Sequence, residues 1–178
     1  MIYVFLAEGF EECEALAPID ILRRAGIETV TVGIGDKTVI GSHKIPIVCD
    51  ITEDEICENG LEGIILPGGM PGTLNLEKNG TVQRFIDFCS EKGLLIGAIC
   101  AAPSILGHKN LLKDKKATCF SGFEKDLLGA EVLNEPVVRD GNIITAYGAG
   151  AAFEFGFKIL SFLKDNKTAQ DLRKQMRY

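Results

Sequence analysis

Four positions in this 178-residue chain carry residue types that could work together as a nucleophile, an acid and a pair of amide donors: Cys100, Glu14, Gly69 and Ala101. Cys100 sits inside Gly93-Leu-Leu-Ile-Gly-Ala-Ile-Cys-Ala-Ala-Pro-Ser-Ile-Leu-Gly107. Leu94 to Ile99 is a short apolar run bounded by glycine, the pattern of a buried parallel strand. Ala101 to Leu106 can begin a helix, with Pro103 tolerated in a first turn whose N–H groups lack intrahelical partners. The cysteine then occupies the corner between strand and helix, the build of a nucleophile elbow with Cys in place of Ser. Unpaired amides and the positive end of the helix dipole at that corner are expected to favour thiolate over thiol. The same stretch also fits a small buried cysteine in a tight turn.

Glu14 shares a helical stripe with Pro18, Ile21, Leu22 and Ala25, at i, i+4, i+7, i+8 and i+11. An acid on that inward face is partly desolvated, which raises its pKa and lets it donate a hydrogen bond or pass a proton. The alternative is a first-turn acid that complements the helix dipole, a part that Glu11 and Glu12 fit better. Gly68 and Gly69 allow close backbone approach, and their N–H groups could form half of an oxyanion hole, with the Ala101 N–H as the other half. A phosphate loop is the competing reading, but the chain has neither Gly-x-x-x-x-Gly-Lys nor Gly-x-Gly-x-x-Gly. A Cys–His hydrolase needs a histidine near Cys100. His108 lies about two helical turns on, roughly 12 Å along the axis, and His43 lies in a loop after a strand. No Cys–His triad is visible.

The totals narrow the function classes. Apolar residues make up 46% and charged residues 25%, with net charge −6, so there is no electrostatic footprint for nucleic acid or an anionic membrane. The six cysteines form no CxxC pair and, with two histidines, no metal-ligand spacing, so neither a metal nor another cofactor is expected. Ile2 to Ala7 is too short and uncharged for a signal peptide, and no stretch is long and apolar enough to span a bilayer. A cytoplasmic protein with reduced thiols is expected.

The elements that must position these residues alternate between strand and helix over one domain, residues 1–178. Strands are expected at Ile2–Leu6, Thr29–Ile34, Thr38–Ile40, Ile45–Cys49, Gly63–Leu66, Leu94–Ile99 and Lys116–Phe120. Val137–Arg139 and Ile143–Ala146 flank Asp140-Gly141, a hairpin signal. Helices are expected at Glu11–Ala25, Thr81–Glu91, Ala101–Leu106, Phe123–Leu128, Ala152 to about Leu163 and Thr168–Met176, with one or two turns in Thr52–Glu58. Pro67 to Gly72 reads as loop. The alternation predicts an α/β fold, a mostly parallel sheet with helices on both faces, whose ligands sit beyond the carboxyl ends of the strands.

Ala7-Glu-Gly-Phe-Glu-Glu-Cys-Glu14, Leu66-Pro-Gly-Gly69, Ala98-Ile-Cys-Ala-Ala-Pro103 and Gly148 to Phe155 occur in the order and spacing of the ThiJ/PfpI (DJ-one) superfamily. More narrowly, they resemble its DJ-one branch and the bacterial YajL-like proteins, over nearly the whole chain. The resemblance implies a flavodoxin-like three-layer sandwich, class I glutamine-amidotransferase-like, working as a homodimer. It makes Cys100 the reactive, oxidation-prone cysteine, Glu14 its hydrogen-bonded acid, and Gly69 and Ala101 the backbone donors. Gly68, Phe120, Gly148 and Ala149 fall at pocket-lining positions. Phe120 stands where some relatives have His, as in YajL-like proteins, and Ala101 stands where PfpI-type peptidases have His. Gly148-Ala149-Gly150 replaces Gly-Pro-Gly, and His43, where relatives place Arg, is a candidate anion contact. The activity implied is a cofactor-free glyoxalase or protein deglycase acting on small reactive aldehydes or glycated adducts. The alternative is an oxidative-stress sensor or chaperone working through cysteine oxidation. A PfpI-type peptidase or amidase fits less well.

Overall fold

The computed structural model describes residues 1–178 as a seven-stranded sheet covered by helices on both faces. In chain order the elements are β1 (Ile2–Leu6), α1 (Glu12–Arg24), β2 (Thr29–Gly33), β3 (Thr38–Ile40), β4 (Pro46–Val48), β5 (Ile51–Thr52) and β6 (Gly63–Leu66). There follow α2 (Gly72–Lys78), α3 (Gly80–Lys92), β7 (Leu95–Ile99), α4 (Pro103–His108), β8 (Lys116–Ala117) and β9 (Glu131–Val132). The chain closes with β10 (Val137–Asp140), β11 (Ile143–Ala146), α5 (Ala152–Leu163) and α6 (Asn166–Met176).

The strand order is β10-β11-β7-β6-β1-β2-β5, with every pair parallel except the β10–β11 hairpin. Period-two alternation of apolar residues builds two separate cores. Ile2, Val4 and Leu6 of β1 face α1, α5 and α6, while Tyr3 and Phe5 face the side covered by α2, α3 and α4. Helix α5 lies close on α1 because Gly156 has no side chain; a Cβ there would stand 2.7 Å from Ile21 Cδ1 and 3.0 Å from Pro18 Cα. That contact holds the inward stripe of α1, Glu14 included, against the carboxyl ends of the strands.

Several expectations are corrected. Thr52–Glu58 holds no helix: Ile51 and Thr52 pair with Val32 and Gly33 as the sheet's edge strand, and Glu55 accepts the Thr52 N–H in the turn that follows. Gly72–Lys78 is helical although its start is all turn residues. Lys116–Phe120 pairs only over Lys116–Ala117, with β9 in a small sheet of its own. Phe123–Leu128 reduces to a 3-10 turn at Glu124–Asp126. Strands β3 and β4 form an antiparallel ribbon outside the main sheet.

Candidate functional site

Strand β7 ends at Ile99 and α4 begins at Pro103, leaving Cys100 on the corner with φ of +64°. A left-handed backbone costs a non-glycine residue on the order of 1 kcal/mol, so the surroundings must hold it. They do so from both sides: the Cys100 N–H donates to Ala146 O, and Cys100 O accepts from the Phe120 N–H, each at 2.8 Å. The thiol is thereby aimed at the gap between β6 and α1.

Glu14 reaches that gap from α1. Glu11 caps the helix, its carboxylate accepting the Glu14 N–H at 2.7 Å, which sets Glu14 in the first turn facing inward. The residue is 1% exposed. Its side chain hydrogen-bonds Cys100, and Oε2 accepts the Gly68 N–H at 2.9 Å. Burial is the main reason its carboxyl rises to about 7, with the nearby Glu11 charge adding to the rise.

Gly69 and Ala101 both direct backbone N–H groups at the Cys100 sulfur. Gly69 has φ of +88°, and a Cβ on it would stand 2.5 Å from both Glu11 N and Gly9 O. Its glycine is required by the packing of the loop after β6 against the loop after β1. The two amides lower the thiol's pKa, the direction expected of the elbow, but they are opposed. Burial first, then the Glu14 carboxylate, push the Cys100 thiol up to about 12, and the two amides offset only part of that. With both groups raised, ionising the sulfur calls for a proton acceptor at the moment of reaction.

The remaining expected residues lie around this core. Phe120 is half exposed, with its ring over Gly148, where a Cβ would come within 3.2 Å of Cδ2. Gly148 is buried, and Ala149 is exposed at the 3-10 turn before α5. His43 is turned elsewhere: its N–H and Nδ1 meet Glu12 at 2.8 and 2.9 Å, and Glu11 lies 3.9 Å off. Those contacts raise the imidazole pKa, led by the Glu12 hydrogen bond. Burial works to raise Glu12, but the His43 hydrogen bond and the backbone amides outweigh it and hold its carboxyl low. His108, at the end of α4, meets Glu77 at 2.5 Å. Neither histidine hydrogen-bonds Cys100. The thiol and Glu14 line none of the single chain's clefts.

Two features escaped the sequence reading. Glu12 clamps the β3–β4 turn to α1, accepting from the N–H groups of His43 and Ile45 and from Ser42 Oγ. Gly41 makes room for it, since a Cβ there would lie 2.2 Å from Glu12 Oε1. Glu11, Glu12 and His43 are also the side chains whose ligand atoms converge enough to hold a metal, within 4.8 Å, though Glu11 and Glu12 already serve as helix cap and clamp. Three acids in four residues were the available signal.

The comparisons agree with this geometry. The family model described as "DJ-1/PfpI family" matches residues 1–162. Protein dj-1beta of Drosophila melanogaster is 33% identical over 174 residues, covering 96% of this chain and 93% of that protein. A DJ-1 superfamily protein of Salmonella typhimurium, crystallised as a cysteine-to-alanine variant, superposes with TM-score 0.94 at 33% identity, covering 99% of this chain and 97% of that one. Oxidised Toxoplasma gondii DJ-1 gives TM-score 0.95 at 28% identity over 99% and 97% of the two chains. With matches of that extent and a cysteine elbow backed by a buried glutamate, the chain belongs to the DJ-1/PfpI family.

Proposed function

We propose that this protein is a cofactor-independent glyoxalase or deglycase that converts small α-oxoaldehydes to hydroxy acids through Cys100. The observation that carries the reading is the constellation on one sulfur: a side-chain acid near neutral pKa and two backbone amides. Glu14 carboxylate takes the Sγ proton as sulfur attacks the aldehyde carbon of methylglyoxal. The new oxyanion lies beside the Gly69 and Ala101 amides and, once protonated, is a hemithioacetal. Glu14 then removes the C1 proton and returns one to C2, moving the electron pair through an enediolate to give an S-lactoyl thioester. Water cleaves the thioester, releasing lactate and the thiol. The balance needs water and nothing else.

A second copy of the chain fits the apolar groove of about 330 Å³ between α1 and the start of α5, where Leu16, Ile45 and Phe153 are exposed. Homodimerisation through that groove is part of the proposal. So is a cytoplasmic location, which suits six unpaired cysteines; no helix is long and apolar enough to cross a membrane.

The same constellation supports a second reading, an oxidation sensor. A sulfinate at Cys100 would accept from protonated Glu14 and the two amides, and the Toxoplasma gondii relative was crystallised oxidised. Peptidase chemistry has no supporting contact, because the residue after Cys100 is Ala101 and both histidines are held by glutamates.

The test is lactate formation from methylglyoxal in amine-free buffer by wild type, Cys100→Ser and Glu14→Gln. Lactate from the wild type alone supports the enzyme. No lactate from any of them, with peroxide oxidation confined to Cys100, moves the assignment to the sensor.

A further inference from the structure

The largest cleft of the molecule, about 550 Å³, is not the Cys100 site. It lies across the segment that runs beside the elbow. Cys119 and Ser121 line it, while Phe120 between them points away, onto Gly148. Tyr147, the residue after β11, forms the facing wall, and Leu133 and Asn134, following β9, complete it. Its volume falls within the range of small-molecule sites.

The lining chemistry selects the occupant. Glu124 contributes a carboxylate, and no Lys, Arg or His lines the cleft. One oxygen of Glu124 accepts the Gly122 N–H at 2.8 Å, and the residue forms no ion pair. Asp126 adds negative charge nearby: after burial, the Glu124 and Asp126 charges are what raise the buried Cys119 thiol to about 11. A cleft of this sign repels anions. Ser121 Oγ, the Asn134 amide and the Glu124 carboxylate are acceptors for a group with several N–H donors. Leu133 and the Tyr147 ring offer an apolar wall and a cation–π face.

We propose that this cleft binds an aliphatic organic cation, a primary ammonium or guanidinium on a short methylene stem, with Glu124 as its counter-charge. The head group donates to Glu124, Ser121 and Asn134, and the stem lies along Leu133 and Tyr147. The site is separate from the Cys100 chemistry and stands whether or not the chain turns over aldehydes. A free diamine and a lysine or arginine side chain of a peptide share this chemistry.

Titration calorimetry on the intact protein tests it with butane-1,4-diamine, Nα-acetyl-lysine methylamide, Nα-acetyl-arginine methylamide and the uncharged Nα-acetyl-norleucine methylamide. At least one cation is expected to bind about tenfold more tightly than the norleucine compound, the joint effect of one exposed ion pair and one cation–π contact. Binding is expected to weaken as salt is raised. Glu124→Gln, which keeps an oxygen for Gly122, is expected to weaken the cations about threefold and leave the norleucine compound unchanged. Tyr147→Leu supplies the same reading independently if Glu124→Gln fails to fold. Preference for the diamine assigns the site to free amines, and preference for the amino-acid amides assigns it to protein side chains. Binding of the norleucine compound as tight as that of every cation, or no cation bound at about 10 mM, where even weak sites register, overturns the proposal.

Discussion

The amide of Gly68 donates to Oε2 of Glu14 at 2.9 Å, joining residues 54 positions apart at the point where acid and thiol meet. A Cβ on Gly68 would stand 2.6 Å from Cys100 Cβ and 2.7 Å from Glu14 Oε2. The two groups therefore meet across a missing side chain. Gly68→Ala is expected to push them apart, lowering turnover of methylglyoxal about 100-fold and destabilising the fold by about 1–3 kcal/mol through overpacking. Kinetics and urea denaturation of the purified variant read both; near-normal turnover would remove Gly68 from the site's geometry.

Stability should respond to the acid itself. The Glu14 carboxyl is raised by burial from 4.5 to about 7, so the folded state holds its proton more tightly than the unfolded chain does. That preference destabilises the fold progressively as pH rises from about 4.5 to about 7, by on the order of 3 kcal/mol in full. Glu14→Gln removes the penalty and keeps an oxygen for Gly68. It should match the wild type at pH 4 and be more stable at pH 8, as read by urea midpoints. An unchanged difference between the two pH values counts against a buried, raised carboxyl.

For the reaction, the raised thiol means that Glu14 must act as base. The expected kcat/KM for methylglyoxal rises with pH through a single ionisation near 7, where Glu14 loses its proton, and then levels. The thiol, raised to about 12, adds no second step below pH 9. A profile centred near 9 in place of 7 would assign the limiting ionisation to the cysteine.

Thiol reactivity gives an order. Cys13 and Cys57 are exposed, Cys100 is intermediate, and Cys49, Cys89 and Cys119 are buried. Iodoacetamide at neutral pH should label Cys57 first and Cys100 more slowly, with Cys49 and Cys89 reacting only on unfolding, while Cys13 borders the α1 groove and is covered in the proposed dimer. Mass spectrometry after timed quenching gives the sequence. Cys100 labelling ahead of Cys57 would show that the amides win over burial and Glu14.

The groove at α1 makes the oligomer testable. Leu16→Asp and Ile45→Asp place charges on exposed apolar positions, and each should convert a dimer to monomer in sedimentation while leaving the monomer folded. Unchanged sedimentation of both would place any dimer contact elsewhere.

What could be read from the chain followed how local each signal was. The β10–β11 hairpin, α3 and the elbow strand carry their own periodicity and turn residues, and the stripe from Glu14 to Ala25 offers an inward acid as one of two readings of Glu14, the one its burial bears out. Helix α2 was hidden because Pro71 and Gly72 open it. Strand β5 was hidden because two residues have no periodicity, and only the exposed edge of β2 makes a strand of them. The forces on the Cys100 thiol were only half legible for a related reason. The helix end that favours thiolate is visible in the sequence, whereas the burial and the glutamate charge that outweigh it come from residues far along the chain. The Glu12 clamp depends on the β3–β4 ribbon folding over α1, which no local pattern announces.

The backbone hydrogen bonds of Cys100 itself run only to residues later in the chain, Phe120 and Ala146. On the ribosome the elbow emerges first and waits for at least 46 further residues before its second clasp exists. At ordinary elongation rates that interval is several seconds. During it the cysteine has no reason to hold a left-handed backbone, and neither amide is fixed against its sulfur. The nascent chain therefore carries an ordinary thiol, and the elbow's geometry is fixed only once synthesis has passed Ala146.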